Sequence, residues 1–198
     1  MRTMRLIFLL AVICLAVGCI TASHPLYFAR EKTFDPRLLG DWEVTGEDDD
    51  KTSCTVEKAQ VDGQYGYLLR GEKVENDVKA RLVSIRGKFY LDAQEAEQDE
   101  GHTIGRLCKE DNGFAVQLLD TGFVKNYLHE HPCAVAHSAN DDVLTAKTRG
   151  LRKFIWKLER CPEAWQTVLW FHRPANVEGG NCAGKKDNRE IGGSHEWH

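Results

Sequence analysis

The densest run of reactive side chains is His129-Glu130-His131-Pro132-Cys133, with His137 four residues beyond the cysteine. It contains ligand types that suit zinc or copper, and a Cys–His pair of the kind that produces a thiolate nucleophile. The spacing argues against both. Histidines that share a metal from one helix stand four apart, as in His-Glu-x-x-His. His129 and His131 are two apart at a predicted helix end and point to different faces. Exposed histidines stabilised by the negative end of a helix explain the run more simply. His129, His131 and His137 are the metal candidates, with Cys133 as the candidate nucleophile of a small metal- or cysteine-dependent enzyme. Elsewhere, His102 opens a predicted strand, where it can act catalytically or hydrogen-bond across a sheet. Asp92 and Asp120 each close a strand and could form a carboxylate pair, although capping and turn roles are commoner. Cys182, His195 and His198 could chelate weakly from the tail. No Gly-rich phosphate loop, Gly-x-Ser-x-Gly elbow or dinucleotide fingerprint occurs, and no cofactor is expected.

A second chemistry belongs to the N-terminus. Arg2 and Arg5 precede twelve apolar residues, Leu6 to Val17. That run is too short for a bilayer core, which needs about 20 residues, but has the length and flanks of a secretory signal. Leu15-Ala16-Val17-Gly18-Cys19 resembles the bacterial lipoprotein motif, in which a cysteine after a small residue is acylated and becomes the mature N-terminus. Cys14 cannot serve, because large Ile13 precedes it. Cleavage near Ala22 and Ser23 by an ordinary signal peptidase is the other reading, and it gives plain secretion. Ile20 follows the cysteine where an inner-membrane retention signal would place aspartate, which favours an outer or surface membrane. An acyl anchor holds a domain to a membrane without a spanning helix.

The organisation expected is a signal peptide over 1–18, a flexible tether over 19–37, one domain over 38–173 and a disordered polar tail over 174–198. Loss of Arg2 and Arg5 with the signal moves the formal charge from −4 to −6. Such a balance disfavours nucleic acid, which needs a concentrated basic face, and disfavours electrostatic docking to anionic lipid. Five cysteines remain in the mature chain, Cys54, Cys108, Cys133, Cys161 and Cys182. An exported compartment permits disulfides, and Cys54 with Cys108 and Cys133 with Cys161 are the pairings considered.

The elements that must position these groups are short strands. Trp42 and Val44 alternate with polar neighbours, and Thr52 to Ala59, Gln64 to Arg70, Val78 to Arg86 and Lys88 to Ala93 follow at meander spacing. His102 to Lys109 and Phe114 to Leu119 bring the count to seven, joined mainly by tight turns such as Asp62-Gly63. The pattern predicts an antiparallel sheet curled into a barrel or half-barrel. Then the period changes. Asp120 or Thr121 can cap a helix carrying Phe123, Val124, Tyr127 and Leu128, which Pro132 stops. A small hairpin is predicted from Ala134 to Ala146. Thr148 can cap a second helix with Leu151, Phe154, Ile155 and Leu158 on one face and Arg149, Arg152, Lys153 and Lys157 elsewhere. After Pro162, Trp165, Val168, Leu169 and His172 fall on one stripe and favour a third helix, with a closing strand over Thr167 to Phe171 as the alternative.

Gly40-Asp41-Trp42 resembles the Gly-x-Trp that opens the first strand of lipocalins and related calycin barrels. The wider layout is similar to small bacterial lipoproteins with a lipocalin-like domain. It is carried by Leu39-Gly40-Asp41-Trp42, Phe89-Tyr90-Leu91-Asp92, His102-Thr103-Ile104-Gly105-Arg106 and Val143-Leu144-Thr145-Ala146. The resemblance implies an α+β fold, a lipocalin-like barrel with two to three C-terminal helices, and a structural Trp42 plugging the floor. It departs from the family in strand count, in lacking a central Thr-Asp-Tyr, and in placing a helix before a late hairpin. A tethered binding or interaction module of the envelope is expected rather than an enzyme. Tyr65, Tyr67, Phe89 and Phe114 are the candidates for lining a barrel mouth around a small apolar ligand, with an envelope protein as the other possible partner.

Overall fold

The computed structural model describes residues 20–71, 76–97 and 101–174. Its elements run β1 (Thr21–Ala22), β2 (Gly40–Gly46), β3 (Lys51–Val61), β4 (Gln64–Gly71), β5 (Val78–Ile85), β6 (Lys88–Glu95), β7 (His102–Glu110) and β8 (Gly113–Leu119). Then come α1 (Thr121–Glu130), β9 (Val143–Leu144), α2 (Thr148–Leu158) and β10 (Trp165–His172), with 3-10 turns at Pro36–Leu38 and Pro162–Ala164. Each strand from β2 to β8 pairs antiparallel with the next. β10 then lies between β8 and β2, antiparallel to both, and closes an eight-stranded barrel. The fold is the antiparallel lipocalin-like barrel with accompanying helices, closed rather than half-open.

The register sorts every barrel residue by side. Trp42 faces Cys54, Val56 faces Leu69, Tyr67 faces Ala80, Leu82 faces Leu91, and Leu107 faces Val116. Phe171 completes the circuit opposite Val44 and Phe114. These side chains alternate inward along each strand and form one core with Leu38. A second core lies outside the barrel. Val83, Ile85, Tyr90 and Ile104 project from the outer wall and meet Val124 and Leu128 of α1 and Leu151, Phe154, Ile155 and Leu158 of α2. Both cores are built from residues between Ile20 and Phe171.

Several expectations are corrected. The stretch after Pro162 is one 3-10 turn and then strand β10, not a helix. A register shift between Thr167 and Leu169 inserts an extra residue, so that Trp165, Val168 and Phe171 are all buried. A β-bulge thus imitates helical spacing in a strand. Neither proposed disulfide forms, for Cys54, Cys108, Cys133 and Cys161 are all free. Cys54 faces into the barrel, whereas Cys108 neighbours inward Leu107 and so lies on the outer face of the same wall. Cys133 is exposed on the turn after α1, while Cys161 packs against the outer core.

Of residues 20 to 37, expected as a tether, those up to Glu31 run as a strap over the outer wall, and Phe34 and Asp35 then turn in beneath the barrel floor against Tyr67. Ile20, Ala22, Leu26 and Tyr27 are buried in the outer core. Thr21 and Ala22 pair with Thr103 and His102 of β7 on one side and with β9 on the other. β9 therefore serves the strap, and the predicted hairpin is reduced to a single bridge between His137 and Leu144. Asp120 caps α1 by accepting from Phe123 N–H at 2.6 Å. Thr148 does not cap α2, which begins with it; its hydroxyl donates instead to Pro25 O at 2.8 Å and fastens the strap.

The seam between β8 and β10 is tight at Gly113, where an added Cβ would fall 1.8 Å from Phe171 O. Gly113→Ala must therefore push the strands apart and is expected to cost about 2–3 kcal/mol through strain and lost ladder hydrogen bonds. Urea unfolding measures it, and an unchanged midpoint would contradict the closure.

Candidate binding site

The barrel interior has two halves. At the end where β2 begins, the floor is sealed. Trp42 Nε1 donates to Leu38 O at 3.0 Å, and its ring meets Phe114 edge-on at 4.8 Å. Phe114 stacks on Phe171 at 4.5 Å. The Arg173 guanidinium covers the other side of Trp42 at 3.7 Å, while its Nη2 donates to Arg37 O and Leu39 O at 2.8 and 3.0 Å. Phe34 stacks on Tyr67 at 5.0 Å, and Tyr67 is bound to the Asp35 backbone in both directions. Burial raises the Tyr67 phenol to about 12, so it remains a neutral hydrogen-bonding group.

Toward the opposite end the lining changes. Leu69, Leu91, Ala93, Leu118 and Leu169 occupy inward register positions, yet they are only partly buried. Val78 and Thr103 continue this half-exposed face toward the rim. Among the described residues, these inward aliphatics touch the core but are only partly covered, and they leave an apolar face at this end of the barrel. That is the surface a small apolar molecule requires.

The four aromatic candidates all occupy inward positions but belong to the floor end. Tyr67 and Phe114 are buried, Phe89 is half-buried against the inner core, and Tyr65 is 54% exposed beneath the Lys58 ammonium at 3.6 Å. The uncovered aliphatics escaped sequence reading because Leu69, Leu91 and Leu118 look like ordinary core residues on alternating strands. Only the register reveals how high each sits. Below the floor, Arg37, Leu38, Trp42, Lys109, Phe114 and Arg173 contribute to an external cleft of about 340 Å3.

The histidine candidates do not converge. His131 stacks on Tyr127 at 4.5 Å, with Nδ1 3.1 Å from Tyr127 O. His137 Nδ1 is 2.8 Å from Val135 O and its Nε2 is 3.0 Å from Asp141. His129 is exposed on the last turn of α1. Among the described residues no three His, Cys, Asp or Glu side chains gather as a metal site. Cys19, Cys182, His195 and His198 lie outside the described residues.

Asp92 and Asp120 are separated in role as well. Asp120 caps α1, whereas Asp92 is buried on the outer wall beneath the strap. There Asp92 Oδ1 lies 2.7 Å from His102 Nδ1, and Oδ2 accepts Leu26 N–H at 2.5 Å. His102 thus bonds across the sheet. Tyr27 closes over the group: its ring lies edge-on to His102, its hydroxyl donates to Asp62, and the Arg81 guanidinium sits 4.0 Å from its face. Both Asp92 oxygens are occupied by the protein itself, so the couple works as a clasp for the strap. A buried carboxylate is tolerated when its lone pairs are filled in this way.

No protein-family model, curated protein or solved structure matches the chain.

Inside the barrel, burial raises the Cys54 thiol to about 11 from an ordinary value near 9. The neutral thiol is the form the folded barrel favours. Its stabilising contribution is complete below pH 9 and is lost as pH climbs toward 11. Cys54→Val should flatten that alkaline decline in a pH series of urea midpoints, and an identical decline in wild type and variant would refute the assignment. In the native protein, iodoacetamide should modify exposed Cys133 first and reach Cys54 only on unfolding.

Proposed function

We propose that the chain is an exported lipoprotein whose barrel holds a small apolar molecule near a membrane. Its chemistry is binding and display. The observation that supports this reading is the row of inward but uncovered aliphatics, Leu69, Leu91, Ala93, Leu118 and Leu169, set above a floor sealed by Trp42. A barrel meant only as a scaffold would fill this half with larger side chains, as close-packed interiors do. The second support is the sequence Leu15-Ala16-Val17-Gly18-Cys19, which resembles the bacterial lipoprotein motif with Cys19 as the acylated residue, followed by Ile20 where an inner-membrane retention signal would place aspartate. Without acylation, the same barrel is secreted.

The enzyme reading draws less support. Cys133 is exposed, and His131 and His137 hold different local partners instead of a shared substrate position.

Native mass spectrometry with lipid extraction tests the cavity. The purified barrel should carry an extractable apolar ligand or take up an added fatty-acid probe. Leu91→Arg and Leu118→Arg should each abolish uptake, whereas charge reversal of exposed Glu130 should leave it intact. A wild-type barrel that neither carries nor takes up such molecules would refute the cavity. The anchor has its own readout. Palmitate label should enter the wild-type chain in its native host and be absent from Cys19→Ala; label persisting in the variant would refute acylation at that residue.

A further inference from the structure

The outer face of α2 carries a concentration of charge that an acidic chain conceals. From Lys147 to Arg160, six of fourteen residues are basic and only Glu159 is acidic. Arg152 is turned inward, to Glu31 at 2.8 Å and to the carbonyls of Leu26 and Ser84. Glu159 is turned inward too, accepting from Tyr90 at 2.8 Å and from Arg106. The one acid is thereby removed from the surface. Arg149, Lys153, Lys157 and Arg160 remain exposed. Among the described residues none of the four has a carboxylate partner. Lys157 approaches only the Tyr127 ring, at 5.4 Å.

Their spacing forms a stripe. Arg149, Lys153 and Lys157 repeat every four residues over about 12 Å of helix at 1.5 Å per residue, and Arg160 follows in the turn just past the helix end. Like charges at these separations repel and weaken the helix that bears them. Such a row suits an extended anionic surface better than a single anion. Aromatic rings accompany it. Half-buried Trp156 lies between Lys153 and Lys157 on the helix surface with Arg86 4.8 Å over its ring, and Phe28 is 46% exposed beside Arg152. The apolar face of α2 is already buried against the barrel, so what it offers outward is a basic row flanked by partly exposed rings, the kind of surface that anionic headgroups attract.

The placement agrees with that partner. Thr148 and Arg152 bind the strap at Pro25 and Leu26, and the strap begins at Ile20, the residue after Cys19. We infer that the exposed face of α2, with Trp156 and Phe28, docks on the anionic phospholipid headgroups of a membrane. The charge stripe is independent of acylation; its adjacency to an anchor rests on the reading of Cys19.

Protein beginning at Ile20, which contains both cores and no acyl site, is mixed with vesicles of equal parts phosphatidylcholine and phosphatidylglycerol, and with phosphatidylcholine alone. Sedimentation should show binding to the anionic vesicles that fades as salt is raised, with little binding to the neutral ones. Lys153→Gln with Lys157→Gln should weaken the affinity about thirtyfold, near fivefold for each basic residue removed. These side chains are exposed, so circular dichroism should show the variant folded. Equal binding to both vesicles, an affinity unchanged in the folded variant, or capture by an acidic peptide with no vesicle binding would each overturn the inference. Because this protein lacks Cys19, none of these results bears on the anchor, which palmitate labelling tests separately.

Discussion

The Arg173 guanidinium over the Trp42 ring joins the end of the last strand to the start of the first strand of the barrel. Two hydrogen bonds from Nη2 to the carbonyls of Arg37 and Leu39 hold it there, and the residues it ties lie up to 136 positions apart. Once this contact is made, the sheet is a closed surface and inside differs from outside. Each inward residue is then assigned to one core and each outward residue to the other. The floor, the uncovered aliphatic half and the outer helical layer all follow from that closure.

The outer layer solves a different problem. Two helices and the strap cover the wall formed by β5, β6 and β7 with the ends of β8 and β10 at Leu119 and Trp165, and charged groups are trapped where they meet it. Asp92, His102, Arg81, Arg106 and Glu159 lie partly or wholly below the surface, and each has local partners. Bonds of this type add little net stability but fix which residues may lie against each other. The strap's register on β7 is specified by the Asp92 carboxylate as much as by Leu26 and Tyr27.

Much of the barrel was legible because its strands alternate cleanly and its turns carry strong signals. β2 to β8 match their predicted spans within a few residues, and α1 begins where Asp120 said it should. β10 was ambiguous for a local reason: the bulge near Val168 converts a period of two into a spacing of three. The strap was misread because Pro25 and Pro36 in a polar stretch suggest a linker, while the partners of Leu26 and Arg81 lie far away in sequence. The site was only half legible. Tyr65, Tyr67, Phe89 and Phe114, read as lining a barrel mouth, stand at the floor end instead, because height along a barrel depends on stagger between strands, which no single strand encodes. Net charge likewise hid the basic stripe of α2, since the acids that balance it lie elsewhere in the chain.

That β10 comes last has a consequence for how the molecule is made. A chain emerging from its N-terminus can lay down β2 through β8 long before the closing strand exists. During that interval β2 and β8 are unpaired edges, and the inner aliphatic face is open to other chains. Closure also waits on contacts of high sequence separation, which form slowly. A protein of this design gains most from staying unfolded until its synthesis is complete, and a stop codon anywhere before Trp165 yields a sticky sheet rather than a smaller barrel.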